Sequence, residues 1–417
     1  MIAQTKSAIA VLALLALAGC GTPSESSFSP NKAKLGSLIP EAQAEIAKVL
    51  AENFGTPNQL IAWERFPIDY DKPDPQADDE HKNQREAGWR LKEGRNLYMT
   101  HCVHCHGVSG DGDGPTAKFL NPLPRDYRLG KFKFKSTLGP LKPSRNDLIH
   151  IVEQGIPGTY MPSFVLLGDE RLGLIVDYVR WLSIRGDTEV RLANELINIG
   201  AGENDVSDAV TADESKKLKR PDVVAGVVKS INDELAGLVN DITTGLAEDW
   251  AKADLPESVV VPESPRTPPT RDSIERGKKL FLSQVEGKKT KCVDCHGASG
   301  RGDGTSTEEF WPIPDAKPAR KYEVAGLHDD WGHPQKPRDL TRGLYRGGRR
   351  PIDIYRRIFA GITGTQMPGF GGTVLKDNEI WDVVNYVLSI PFDGKQSAYP
   401  TELEENDENR KKIASGN

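Results

Sequence analysis

Apolar residues recur at helical spacing in separated blocks along the chain, and these blocks predict helices. Residues 40–54 form one amphipathic block, closed by Gly55. Residues 89–98 and 274–281 form two more, each with a glycine (Gly94, Gly277) four positions before an aromatic residue. A short amphipathic stretch covers 147–152. Longer blocks at 169–183 and 376–390 carry Tyr178 and Trp181, then Trp381 and Tyr386. Between them, Val224, Val228, Ile231, Leu235, Leu238 and Ile242 recur at alternating steps of four and three, a single apolar stripe on a helix. That stripe is expected to pack on a neighbouring domain or on the 40–54 helix. The proline-rich segment 256–269 reads as a stiff connector. Glycine-rich loops follow at 107–114 and 297–304, and the charged tail from Glu402 is expected to lack a packed core. The expected class is all-α.

The first block differs from the rest. Lys6 precedes an uninterrupted apolar run over 8–18, too short to span a bilayer and suited to the core of a secretory signal peptide. The run ends in Leu17-Ala18-Gly19-Cys20, which resembles the lipobox of bacterial lipoproteins. That resemblance implies cleavage before Cys20 and lipidation of its thiol. The mature chain would then be held on the periplasmic side of a bacterial membrane by acyl chains rather than by a transmembrane helix.

Composition narrows the classes. Of 417 residues, 37% are hydrophobic and 27% charged, which excludes a polytopic membrane protein. The net charge of −6 excludes a strongly basic nucleic-acid binder. The length predicts two or three domains.

The four remaining cysteines fall in two pairs, Cys102-Val103-His104-Cys105-His106 and Cys292-Val293-Asp294-Cys295-His296. C-x-x-C-H is the attachment signature of c-type haem: each thiol adds to a vinyl group, and the adjoining histidine ligates the iron. A redox dithiol needs no following histidine, and a zinc site built from both pairs would bridge positions 190 apart. Two covalently bound haems are therefore expected. Methionine supplies candidates for the sixth ligand. Met1 is lost with the leader, and Met99 lies three residues before Cys102, where core packing is its expected role. Met161 and Met367 sit in matching G-T-x-M-P pentapeptides, one after each attachment motif. A thioether there would favour ferrous iron and raise the potential. His81, His101, His104, His150, His328 and His333 are weaker competitors.

The two halves align beyond these motifs. His106-Gly107 and Gly110-x-Gly112-x-Gly114 match His296-Gly297 and Gly300-x-Gly302-x-Gly304, and Pro124-Arg125-Asp126 matches Pro337-Arg338-Asp339. From the motif histidine to that aspartate is 20 positions in the first half and 43 in the second. The difference is an insert over 308–334 with Trp311 and Trp331, expected to cover a haem edge or to form a docking surface. Arg125 and Arg338 are candidates to pair with haem propionates. The second half also carries a dense basic cluster, Arg342, Arg346, Arg349, Arg350, Arg356 and Arg357.

Each half resembles a class I cytochrome c domain: a first helix with glycine and an aromatic, C-x-x-C-H-G, a glycine loop, a Met-Pro loop and an aromatic last helix. The resemblance implies that first and last helices cross at the glycine. The expected organisation is a signal peptide (1–19), a tether with the N-terminal helix (20–85), domain 1 (86–190), a partly helical linker (191–269), domain 2 (270–395) and a charged tail (396–417). The implied function is a dihaem electron carrier rather than an enzyme. It would work between respiratory redox partners such as a quinol-oxidising complex, a terminal oxidase or small cytochromes, as a shuttle or as a subunit of an oxidoreductase complex. A dihaem peroxidase needs one haem that is or becomes five-coordinate, which two Met-Pro loops disfavour; a redox-sensing subunit is the other competitor.

Overall fold

The computed structural model of the chain describes residues 27–63, 65–68, 88–211, 219–314 and 318–392. The leader, Cys20, the acidic stretch after Asp69 and the charged tail lie outside the described residues. The helices in chain order are α1 (Lys32–Leu35), α2 (Pro40–Phe54), α3 (Trp89–His101), α4 (Val103–His106), α5 (Arg145–Gln154), α6 (Gly168–Asn198) and α7 (Glu203–Thr211). They continue with α8 (Arg220–Ala253), α9 (Arg271–Phe281), α10 (Cys292–His296), α11 (Pro351–Ala360) and α12 (Asp377–Ser389). The fold is mostly helical. The departure from an all-α reading is a short antiparallel hairpin inside the insert, β1 (Leu327–His328) with β2 (Pro334–Gln335).

Two hydrophobic cores form. In each, a first helix crosses a last helix at a glycine: α3 on α6 and α9 on α12. A Cβ on Gly94 would run into the Leu174 carbonyl and lie 3.1 Å from the Tyr178 Cβ. A Cβ on Gly277 would run into the Asp382 carbonyl and lie 3.0 Å from the Tyr386 Cβ. Only the missing side chain lets the backbones approach this closely. Tyr98 packs edge-on to Tyr178 and Phe281 edge-on to Tyr386, so the aromatic four residues after each glycine seals its crossing.

The first core is the larger. α6 was expected over 169–183 but runs unbroken to Asn198. Ile184, Val190, Leu192, Ala193 and Leu196 continue the apolar face on either side of the polar run 185–189, within which Gly186 admits the backbone of Arg128. The stripe on α8 packs on α6 and α2, as its periodicity implies: Ile231 and Ile242 are buried, and Leu246 and Trp250 extend the seam. The N-terminal helix begins at Pro40, ends at Gly55 (φ 74°) and buries Ile46, Leu50 and Phe54 in the same core. Because α2, α3, α5 and α8 enclose α6, charged residues on it are buried too: Asp177, Arg180 and Asp187 are ion-paired, while Arg185 lies over the Phe28 ring. Asp177 accepts from Arg90 (3.5 Å) and Arg145 (2.7 Å), Arg180 donates to Asp254 (2.8 Å) and Lys142 donates to Asp187 (2.6 Å).

The proline-rich connector is tied down on both sides. Leu138 N donates to Ser258 O and Val260 N to Ser136 O, pairing it with the first half. Trp381 Nε1 donates to Ser264 O (3.1 Å) and Arg356 Nε to Val260 O (3.1 Å), pairing it with the second.

Candidate haem sites

Each attachment motif occupies one helical turn, α4 and α10, entered directly from a preceding segment and closed by a glycine of positive φ, Gly107 (73°) and Gly297 (72°). The same backbone bonds brace both. Gly112 N donates to His106 O and Gly302 N to His296 O, while Gly114 N and Gly304 N donate to the second cysteine's carbonyl. No disulfide joins the four cysteines, and burial pushes the Cys102 and Cys292 thiols up to about 12. These surroundings suit neutral sulfur, as in a thioether, better than the thiolate that a zinc site needs.

The histidines are fixed identically. His106 Nδ1 donates to Arg125 O (3.2 Å) and His296 Nδ1 to Arg338 O (3.4 Å). In the neutral ring this leaves Nε2 with a free lone pair, the form a metal requires. Burial holds both rings neutral, lowering His106 to about 4 and His296 in the same direction. The Pro-Arg-Asp match thus has a structural cause that spacing could not reveal: the arginine carbonyl, not only its side chain, serves the site.

The methionine loops are also superimposable in their bonding. Ile156 N donates to Met161 O (3.0 Å) and Ile362 N to Met367 O (3.1 Å). The threonine hydroxyl accepts from the methionine N–H, at 3.1 Å in one loop and 3.2 Å in the other. It donates to the carbonyl of Ile156 or Ile362, at 2.8 Å in each. Gly158 and Gly364 take φ near +75°, which explains the glycine at the head of both pentapeptides.

In the first half these parts converge. Cys102, Cys105, His106 and Met161 line one cavity of about 350 Å³, with Leu148, Ile156, Ile175 and Val179 supplying apolar walls. Arg125 lines it as well. Its guanidinium is largely buried, its pKa is pushed down to about 10 by desolvation, and it makes no hydrogen bond among the described residues. A buried cation without an acceptor, an imidazole presenting a free nitrogen and two thiols on one turn are the features a dianionic haem c would satisfy. In the second half, Cys292 and Met367 pack against the same core, and Phe281 lies 6.1 Å from the His296 ring. Arg338 lies differently from Arg125. Its Nε donates to Leu344 O (2.7 Å), and its guanidinium rests against Gly158 in the first half's methionine loop.

The other candidates fall as follows. Met99 packs against the first core. His150 is exposed beside Glu153, and His328 is buried, stacked on Tyr322 at 3.7 Å with Nδ1 donating to Gly326 O. His101 and His333 reach the rim of the first cavity. Tyr127, which no spacing argument singled out, stacks on His106 at 4.8 Å. The insert was expected to cover a haem edge or to form a docking surface; its Asp329 and Trp331, with Gln335 and Arg346, line the cavity of the first half.

The family model for cytochrome c matches residues 91–183 and 274–391, together just over half of the chain. No curated protein matches it. Among solved structures, a chain from the Kuenenia stuttgartiensis reducing HAO-like protein complex is 27% identical, over 72% of this chain and 96% of that one, with a TM-score of 0.47.

Proposed function

This chain belongs to the cytochrome c family, and from that premise we propose that it is a dihaem electron carrier, lipid-anchored on the periplasmic side of a bacterial membrane. The family implies covalently bound haem c, which supplies a one-electron ferric/ferrous couple when bound. The observation that carries the count of two is the repetition of the bonds that hold histidine and methionine. Both histidines donate to an arginine carbonyl, and both methionine loops close through threonine and a positive-φ glycine.

In this reading Cys102 and Cys105 tether one haem, with His106 and Met161 as its ligands; Cys292 and Cys295 tether the other, with His296 and Met367. The carbonyls of Arg125 and Arg338 hold each imidazole in the tautomer that can ligate. The apolar walls of the first cavity exclude water, and the Arg125 side chain answers a propionate. With Met161 and Met367 as second ligands neither haem would keep an open coordination site, which favours a relay over a peroxidase. The periplasmic lipid anchor rests on the apolar run over 8–18 and on Cys20, and no helix among the described residues is long and apolar enough to cross a membrane. Its partners would be other redox proteins: a quinol-oxidising complex, a terminal oxidase or small cytochromes.

A potentiometric titration of the haem-loaded protein with Cys20 replaced tests the reading. It predicts two haems per chain, two high-potential waves and the near-infrared charge-transfer band of methionine-ligated ferric haem from both sites. A single haem, or one site that lacks the band, titrates low and reacts with peroxide, overturns the relay.

A further inference from the structure

The first cavity is not closed by the first half alone. Asp329, Trp331, Gln335 and Arg346 of the second half line it beside His106 and Met161. The Arg125 guanidinium lies 3.9 Å from the centre of the Trp331 ring. Two cross-half ion pairs fix that ring: Lys133 with Asp329 (3.4 Å) and Lys131 with Asp330. Asp329 also accepts from the Trp331 and His333 backbone N–H groups, which shapes the tip of the insert's hairpin. On its far side Trp331 reaches the second methionine loop, where a Cβ on Gly364 would lie 2.7 Å from its Cζ3.

The charges in this corner do not balance among protein groups. Asp126 is taken by Arg128, Asp329 by Lys133 and Asp330 by Lys131. Arg125 and Arg346 keep their charges with no hydrogen-bond acceptor among the described residues. Trp331 Nε1 and Arg346 Nε are buried donors without partners. Buried donors left without acceptors are costly and rare, so a cluster of them against one cavity marks the place of an anionic group.

Taking the haem reading of the first half as given, we propose that the first haem site is composite: Trp331 and Arg346 of the second half, with Arg125, form the donor-rich end that receives the carboxylates of the group bound there. The two are positioning residues. They neutralise the carboxylates and keep water from that edge, which raises the potential of the first site and leaves that of the second. Arg338, the expected counterpart of Arg125, is not among the residues that line this cavity.

The test is spectropotentiometry of the full-length, haem-loaded protein and its Arg346→Gln and Trp331→Phe variants. Met161→His assigns the first wave, because it moves only that site. Arg346→Gln is expected to raise the oxidised-to-reduced ratio of the first site about tenfold at a fixed ambient potential, a downward shift of ~59 mV for one electron. Its first-site potential should also gain a dependence on pH as the carboxylate loses its cation. Trp331→Phe keeps the ring over Arg125 but removes the N–H, and should shift the same wave in the same direction by less. An unmoved first wave in both variants overturns the proposal, as does an equal shift of both waves. If Arg346→Gln does not accumulate as holoprotein, the Trp331→Phe result decides. The haem reading fails separately, when the unsubstituted protein carries a haem-to-chain ratio below two.

Discussion

The two halves carry the same attachment turn, the same histidine carbonyl bond and the same methionine loop, yet they are built into different surroundings. In the first half Tyr98 donates from its hydroxyl to Gly107 O (2.8 Å) and Tyr127 stacks on the histidine. In the second, Phe281 stands where Tyr98 does, and Leu340 where Tyr127 does: Tyr127 N and Leu340 N donate to the carbonyls of the equivalent glycines, Gly110 and Gly300. The first histidine is buried by a core that recruits α2, α7 and α8; the second half relies on α9, α11 and α12. The repeat therefore keeps the backbone bonds of the attachment turn and the methionine loop and lets the side chains around them diverge. In the proposed dihaem reading, this divergence would give the two centres unequal solvation, and so unequal potentials.

The helix crossings offer the largest effect by which to break this comparison. Gly94→Val and Gly277→Val each place side-chain atoms where a backbone carbonyl already lies. Each should cost its own half about 3–5 kcal/mol, the extreme of single-substitution effects. Thermal unfolding followed by circular dichroism should show one transition collapse and the other persist. If both transitions fall together in either variant, the halves are one cooperative unit.

Trp250→Ala comes next and addresses only the first half. Trp250 is fully buried, with Arg180 at 5.2 Å and Lys142 at 5.8 Å from its ring. Truncation should destabilise the first half by about 3–4 kcal/mol. The second half's transition should stay in place. Denaturant titration read through the two halves separately would check this, and an equal loss in both would tie α8 to the second core.

The smallest effect is a pH dependence. Desolvation lowers Lys135 from its ordinary 10.5 to about 8 in the folded state, where its ammonium donates to the carbonyls of Leu138, Gly139 and Leu141. Between those two values the unfolded chain binds more protons than the folded one, so stability rises as pH goes from about 8 towards 10.5. Lys135→Gln keeps a donor and removes the titration, and should flatten the slope of stability against pH over that window. A slope unchanged in the variant would assign the dependence elsewhere.

How far the sequence reached follows from locality. Cys102 to His106 and Cys292 to His296 are contiguous, so their chemistry is written in spacing. The matching loops around Met161 and Met367 were legible because the same pentapeptide occurs twice, and the crossings at Gly94 and Gly277 because each glycine precedes an aromatic by one helical turn. The continuation of α6 to Asn198 was not, since residues 185–189 break the apolar face with Arg, Gly, Asp, Thr and Glu, whose burial comes from the elements packed round the helix and, at Gly186, from the backbone of Arg128. Arg338 was paired with Arg125 by alignment. Its backbone keeps the match, while its side chain turns to Leu344 and to the first half's methionine loop.

The sequence by itself determined the two C-x-x-C-H motifs, the candidate ligands, the helical class and the repeat, because each depends on residues within a few turns of one another. The tertiary structure decided which wall each cavity has. Trp331 and Arg346 lie more than 200 positions from Arg125, inside an insert and a basic cluster whose local patterns name no target. Only when the hairpin is held by Lys131 and Lys133 does that indole meet the guanidinium and close the first site. A local pattern fixes what a side chain can do, whereas long-range packing fixes what it is given to act upon.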